Sequence, residues 1–206
     1  VMILNVNDAW NLEFEDGTIM NMDKSEHIKD AAQVISQYAD LIAVRAFPTL
    51  QNKTKDESEY ILNSFEKYAT VPIINMESAT AHPLQALADA ITITELTEKP
   101  KPKVVLSWAP HPKALPQAVA NSFVEMMQDL EVDFTITHPE GYELSEHITK
   151  NTPINYNKKD ALNNADFVQP LLIANFANSG KSEIFSLSTT ARKFTCNPAA
   201  KVRSRL

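Results

Sequence analysis

Strand-length apolar runs recur along this chain, and each gives way to a stretch with helical spacing. That alternation admits few architectures. Continuous rather than alternating apolar strands want burial on both faces, which parallel neighbours and flanking helices provide. Residues 1–6, 41–44, 71–76, 104–108, 133–137 and 165–168 read as strands. Between them, 25–39 sets Ile28, Ala31, Ala32, Ile35, Tyr38 and Ala39 on one face, and 56–69 sets Tyr60, Ile61, Ser64, Phe65 and Tyr68 on one stripe. Pro83 suits the first position of a long helix reaching Leu96, and 117–130 reads as another helix, with a short one near 144–149. A Lys99-Pro-Lys-Pro-Lys103 hinge separates two such patterns. The expectation is an α/β fold of two parallel-sheet, Rossmann-like halves joined by the helix at 83–96.

Glycine is informative by scarcity. Three glycines, Gly17, Gly141 and Gly180, stand in 206 residues. Dinucleotide and Walker phosphate loops need several for close backbone approach, so bound NAD, FAD or ATP is not expected, and a nucleotide-dependent oxidoreductase fails on this ground. A phosphate here must be held by side chains and helix N-termini. A net charge of −7 offers no footprint for nucleic acid. No apolar run is long enough for a membrane span. The lone Cys196 excludes an internal disulfide and a cysteine-based zinc cluster, which suits a reducing cytosol.

Charge divides the chain near Pro170. Residues 1–169 carry 13 Lys and Arg against 25 Asp and Glu, whereas 170–206 carry six against one. The latter segment is rich in Ser and Thr, shows no sustained period, and reads as an atypical basic tail of the kind a slipped frame produces. Because Val1 stands where a starting Met is expected and 1–6 already reads as a buried strand, an upstream segment is expected to be missing.

The residues able to carry chemistry gather at strand ends. Arg45 follows the strand at 41–44, Glu77 the one at 71–76, and His82 and Gln85 open the next helix. His111 follows 104–108. In an open parallel sheet these positions lie on the carboxyl side, where ligands bind. Arg45 offers bidentate donation to phosphate or carbonyl oxygen, His82 can donate to a carbonyl oxygen gaining charge, and Gln85 can accept from an NH2 group. Together they suit a polarised carbonyl bearing an amide nitrogen and a phosphate, which is carbamoyl phosphate. Taken singly, each has a plainer reading: Arg45 as a surface ion pair, His82 and His111 as helix caps, Glu77 as a loop residue, Trp10 as packing. His27, His138 and His147 are expected to face solvent.

His82-Pro83-Leu84-Gln85 resembles the HPxQ motif of the aspartate/ornithine carbamoyltransferases. Ala9-Trp10, Met22–His27, Val44–Phe47, Met76-Glu77, Trp108–Pro112, Leu115–Val119, Asn121–Phe123 and His138–Leu144 are similar to the N-succinylornithine and N-acetylornithine branch. The likeness is expected over 1–168. It implies a carbamoyl-phosphate domain plus linking helix at 1–97, part of an acylornithine domain at 98–169, and the basic tail at 170–206. By resemblance, Arg45, His82 and Gln85 bind carbamoyl phosphate, Trp10 reaches the same ligand from a neighbouring subunit of a homotrimer, and Glu77, His111, Leu115 and Ser25 line the acylornithine pocket. Arg45 and His82 are then the catalytic pair, with no metal and no cofactor. The partners implied are carbamoyl phosphate and an N-acylornithine, in arginine biosynthesis.

Departures from the family pattern concentrate at the two ends. Its Ser-x-Arg-Thr-Arg phosphate loop is expected upstream of Val1, and neither a substrate lysine near Leu171 nor a later His-Cys-Leu-Pro segment is found. The expectation is therefore a fragment without turnover, truncated at both ends. Its rival is a non-catalytic α/β binding domain derived from such an enzyme. Ser25 stands where the family sets proline for succinyl and glutamate for acetyl substrates. A small neutral side chain leaves room for a succinyl carboxylate, which favours succinyl.

Overall fold

The computed structural model of the chain describes residues 3–4, 11–20, 24–111, 116–174 and 192–193. Two compact units are found, Val1–Gln85 with Pro116–Ser122, and Ala86–Leu115 with Phe123–Leu206. Every paired strand in both is parallel, as continuous apolar runs imply.

In the first unit, β1 (Leu12–Glu13) pairs with β2 (Glu26–His27), and β3 (Ile42–Arg45) with β4 (Ile73–Glu77). Helix α1 (Ile28–Ser36) starts later than the spacing predicts, because 26–27 go to the sheet. His27 then caps it, its Nδ1 accepting from the Lys29 N–H at 3.0 Å. The helix expected over 56–69 is instead two, α2 (Lys53–Glu57) and α3 (Tyr60–Tyr68), broken at Glu59, whose backbone is left-handed. Leu12, Ile28, Ala31, Ala32, Ile35, Val44 and Phe65 form the core beneath these helices.

Two sequence expectations fail here. Ile3 is 89% exposed and Leu4 is also exposed, so the described part of 1–6 is not a buried strand; neither residue has a sheet partner to bury it. β4 alternates rather than being covered on both faces, with Ile74 and Met76 turned outward, because the core lies on one side of the β3–β4 pair. The remainder of 1–6 lies outside the described residues.

Helix α4 (Pro83–Leu96) begins at the predicted proline, whose missing N–H costs nothing at a first turn. The compact division falls inside it, at Gln85/Ala86, and the buried Ala86, Ala90 and Ile93 belong to the second unit. Helix α5 (Ala118–Asp129) likewise starts in the first unit and continues in the second.

The second unit is a parallel sheet in the order β6-β5-β7-β8, of β5 (Lys103–His111), β6 (Asp133–Thr137), β7 (Phe167–Ala174) and β8 (Arg192–Lys193). α6 (Glu146–Thr149) and α7 (Lys158–Leu162) connect β6 to β7. β5 runs on past Trp108, where the strand was expected to end, through Ala109 and Pro110 to His111. β7 likewise exceeds 165–168 and crosses the charge break at Pro170 without interruption. Each extension is the other's partner, with Trp108 opposite Leu171 and His111 opposite Ala174. Pro110 sits where β5 is paired on one side only, because the pairing with β6 stops at Ser107–Thr137. His138 is 4% exposed, not solvent-facing, with ring centroids 5.3 Å from Trp108 and 5.4 Å from Tyr156.

Candidate active site

Strand register builds the site. Val44 stands opposite Asn75, but Arg45 stands opposite Glu77, so one residue of β4 is skipped between them. Such a bulge re-aims the side chain after it. Here it sets the Arg45 guanidinium against the Glu77 carboxylate, with Nε donating to Oε2 at 2.8 Å and Nη2 at 2.7 Å from the same oxygen. The Ala46 N–H donates to the Glu77 carbonyl at 2.8 Å and holds the shifted register.

Past β4 the chain turns through 78–82 and enters α4. His82 Nε2 lies 3.5 Å from the same Glu77 oxygen. Its Nδ1 is buried without a hydrogen-bond partner. Nε2 is thus the ring nitrogen that faces Glu77. The His82 N–H donates to Ser122 Oγ of α5 at 2.9 Å, and Gln85 N–H closes the first turn on the His82 carbonyl at 3.2 Å.

Arg45, His82 and Gln85 line one cavity of about 250 Å³ with Met76 and Leu84. Glu77 is 10% exposed beside it, while Arg45 is 55% and His82 22% exposed. Phe47 supports the guanidinium from below, its ring centroid 4.6 Å from Cζ. The floor is apolar and the donors converge from β3, the β4–α4 turn and α4. Such a cavity accommodates a small anion with a carbonyl, for which Arg45 and His82 donate. Glu77 occupies those donors itself.

Of the other expected site residues, Ser25 and Glu77 are described with their side chains. Ser25 is exposed, its N–H donating to the Asn11 carbonyl at 3.1 Å, beside Lys24, which ties the same segment through Asn11 Oδ1 at 3.1 Å and the Leu12 carbonyl at 3.0 Å. His111 is the last residue of β5, in the second unit; its side chain, Trp10 and Leu115 lie outside the described residues. Glu77 contacts both Arg45 and His82. Met76, Leu84, Phe47 and Ser122 were given no role by sequence reasoning. Their only signal was position beside the motif residues. Among the described residues no group of three or more His, Cys, Asp and Glu side chains could hold a metal, and no helix is long and apolar enough to cross a membrane.

Fold and site define a class: a parallel α/β protein that gathers a guanidinium, an imidazole and an amide at strand ends around an anion-sized cavity. Residues 5–95 match the carbamoyl-phosphate-binding domain of the aspartate/ornithine carbamoyltransferases. The chain is 46% identical over 187 residues to N-succinylornithine carbamoyltransferase of Bacteroides thetaiotaomicron, covering 90% of this chain and 59% of that one. It is 45% identical over 135 residues to N-acetylornithine carbamoyltransferase of Xylella fastidiosa, covering 64% of this chain and 40% of that one. Among solved structures, a variant of N-acetyl-L-ornithine transcarbamylase complexed with PALAO superposes with a TM-score of 0.77 at 36% identity, over 85% of this chain and 57% of that one. Another variant, complexed with carbamyl phosphate and N-succinyl-L-norvaline, gives 0.76 at 37% identity, over 84% and 56%.

The chain is thus similar to the aspartate/ornithine carbamoyltransferases, with succinyl- and acetylornithine enzymes among the relatives it matches. It spans 59% of the length of the B. thetaiotaomicron relative. An alignment of 187 residues is longer than 1–169 can supply, so the likeness reaches past the charge break, as β7 does.

Proposed function

We propose that the cavity between β3, β4 and α4 binds carbamoyl phosphate and that the whole protein transfers its carbamoyl group to the δ-amine of an N-acylornithine. The observation that carries this reading is the convergence of Arg45, His82 and Gln85 on one cavity. The Arg45 guanidinium holds a phosphate or carbonyl oxygen, His82 Nε2–H donates to the carbonyl oxygen, and Gln85 accepts from the carbamoyl NH2. The amine nitrogen attacks the carbamoyl carbon, the carbon–nitrogen bond forms, the bond to the bridging phosphate oxygen breaks, and the amine proton leaves with phosphate. Arg45 and His82 stabilise the charge that develops on the carbonyl oxygen, so the rate comes from positioning and electrostatics. Glu77 must release Arg45 for this to occur, and a phosphate group is the natural replacement.

For the acyl group we favour succinyl. Ser25 is small, neutral and exposed. A solved transcarbamylase variant in which a glutamate is changed to serine is complexed with N-succinyl-L-norvaline, the same kind of exchange that separates Ser25 from the acetyl pattern. We extend the proposal to a cytosolic homotrimer with Trp10 shared between subunits, and to His111 and Leu115 on the acylornithine side. The resemblance alone supports these.

Calorimetric titration of the chain with carbamoyl phosphate tests the first step. We expect saturable binding that Arg45→Ala and His82→Ala each weaken by about tenfold or more. Equal binding by all three proteins would overturn the proposal. Comparing kcat/KM for N-succinyl- and N-acetylornithine tests the acyl preference.

A further inference from the structure

Glu59 serves a neighbouring loop and not the helix it begins. It stands at the N-terminal boundary of α3 with φ 52° and ψ 34°, and its side chain makes no capping hydrogen bond to that helix. A residue with a Cβ resists this backbone, and a carboxylate at such a boundary ordinarily faces the first-turn amides. Instead Oε1 accepts from the Thr80 N–H at 2.8 Å, the Ser78 hydroxyl at 2.8 Å and the Thr80 hydroxyl. One carboxylate oxygen thus gathers three donors from the segment leading into His82.

The same segment is held from its other side by α5. Asn121 Nδ2 donates to the Thr80 carbonyl at 3.0 Å, and Ser122 Oγ accepts from the His82 N–H at 2.9 Å. The Ser78 N–H closes the turn on the Ala81 carbonyl at 2.8 Å. Ser78 is fully buried, so if the carboxylate is removed its hydroxyl is left with the Ala81 carbonyl, 3.2 Å away, and no water to turn to. Glu59 does not line the Arg45–Gln85 cavity.

We propose that Glu59 is a positioning residue: it fixes the 78–81 turn and thereby the direction in which the His82 imidazole faces Glu77 and the cavity that His82 lines with Arg45. Its effect on ligand binding rests on the carbamoyl-phosphate reading, whereas the positioning itself does not. A left-handed backbone at Glu59 is what swings the carboxylate away from α3 and onto the turn, which accounts for the break in the helix at that residue.

The test combines amide hydrogen exchange with carbamoyl phosphate calorimetry on the 206-residue chain. Glu59→Ala is expected to speed exchange of the His82 amide about tenfold or more, although that amide bonds to Ser122 and not to Glu59, and to weaken carbamoyl phosphate about tenfold. Glu59→Gln, whose amide oxygen can accept from the same donors, is expected to stay within about threefold of the parent on both measures. In a His82→Ala background Glu59→Ala is expected to cost no further affinity, which a general loss of structure would not reproduce. Unchanged His82 exchange in Glu59→Ala, or an equal affinity loss with and without His82, would overturn the proposal. Should the parent and His82→Ala bind carbamoyl phosphate equally, the function reading fails, and exchange at His82 still decides the positioning. Should Glu59→Ala not fold, Thr80→Val removes one donor and keeps the carboxylate: faster exchange at His82 supports the proposal, and parent-like exchange refutes it.

Discussion

Arg45 and Glu77 meet across the β3–β4 pair, guanidinium to carboxylate at 2.7 Å, because the register skips a residue just before Arg45. In the strict register Arg45 would oppose Met76 instead. The pair places a negative charge where an anionic ligand is expected. Glu77→Gln is therefore expected to tighten binding of inorganic phosphate, by about three- to tenfold, since the competing charge is removed while the shape is kept. Calorimetry at constant ionic strength reads this directly; a weakened affinity would mean that Glu77 does not compete for Arg45.

Arg45→Lys tests the planar fork and not the charge. Lysine keeps the cation but loses the paired donation and the stacking on Phe47, whose ring lies 4.6 Å from Cζ. With Arg45 more than half exposed, the expected loss is about tenfold in carbamoyl phosphate affinity, with stability unchanged. Titration calorimetry and thermal melts separate the two effects.

Asp166 anchors the Lys-Pro hinge. Its carboxylate takes Lys99 Nζ at 2.6 Å and the Lys103 N–H at 2.9 Å. Burial pushes the carboxyl up, but the Lys99 ammonium and the Lys103 amide pull it further down, leaving it below the ordinary value of 3.8. A carboxyl depressed in the folded state stabilises above 3.8, and that stabilisation is lost as pH falls through the lower folded value. Asp166→Asn is expected to lower the melting temperature at neutral pH and to remove that part of the acid-limb slope, read from melts between neutral and strongly acidic pH.

Phe65 tests the first unit's core. It is buried in the cluster with Ile28, Ala31, Ala32, Ile35 and Val44. Phe65→Ala removes its contacts and leaves a cavity, at an expected cost of about 3–4 kcal/mol. Urea unfolding with unchanged slope measures it; a change below about 1 kcal/mol would mean that α3 is not needed to close this core.

Much of this was legible in the sequence. Helix α4 at 83–96 and strand β6 at 133–137 arise directly from apolar spacing and from a proline at a first helical position. The motif that holds His82, Leu84 and Gln85 is contiguous, so one helix turn suffices to bring them to one cavity. The misses share a cause. β5 and β7 extend past their apolar runs because each finds its partner in the other, some sixty residues away in sequence, where periodicity carries no signal. His138 is buried for the same reason, its ring lodged between Trp108 and Tyr156.

Local sequence determined which segments became helix or strand, that the sheets would be parallel, and which polar residues would stand at strand ends, because these depend on neighbours within a few positions. Tertiary structure alone decided that Arg45 faces Glu77, that Glu59 leaves its helix to hold the 78–81 turn, and that Ser122 receives the His82 amide. Those outcomes depend on a one-residue register shift and on hydrogen bonds between distant segments. Their energies exist only once the chain has folded to bring the partners within about 3 Å.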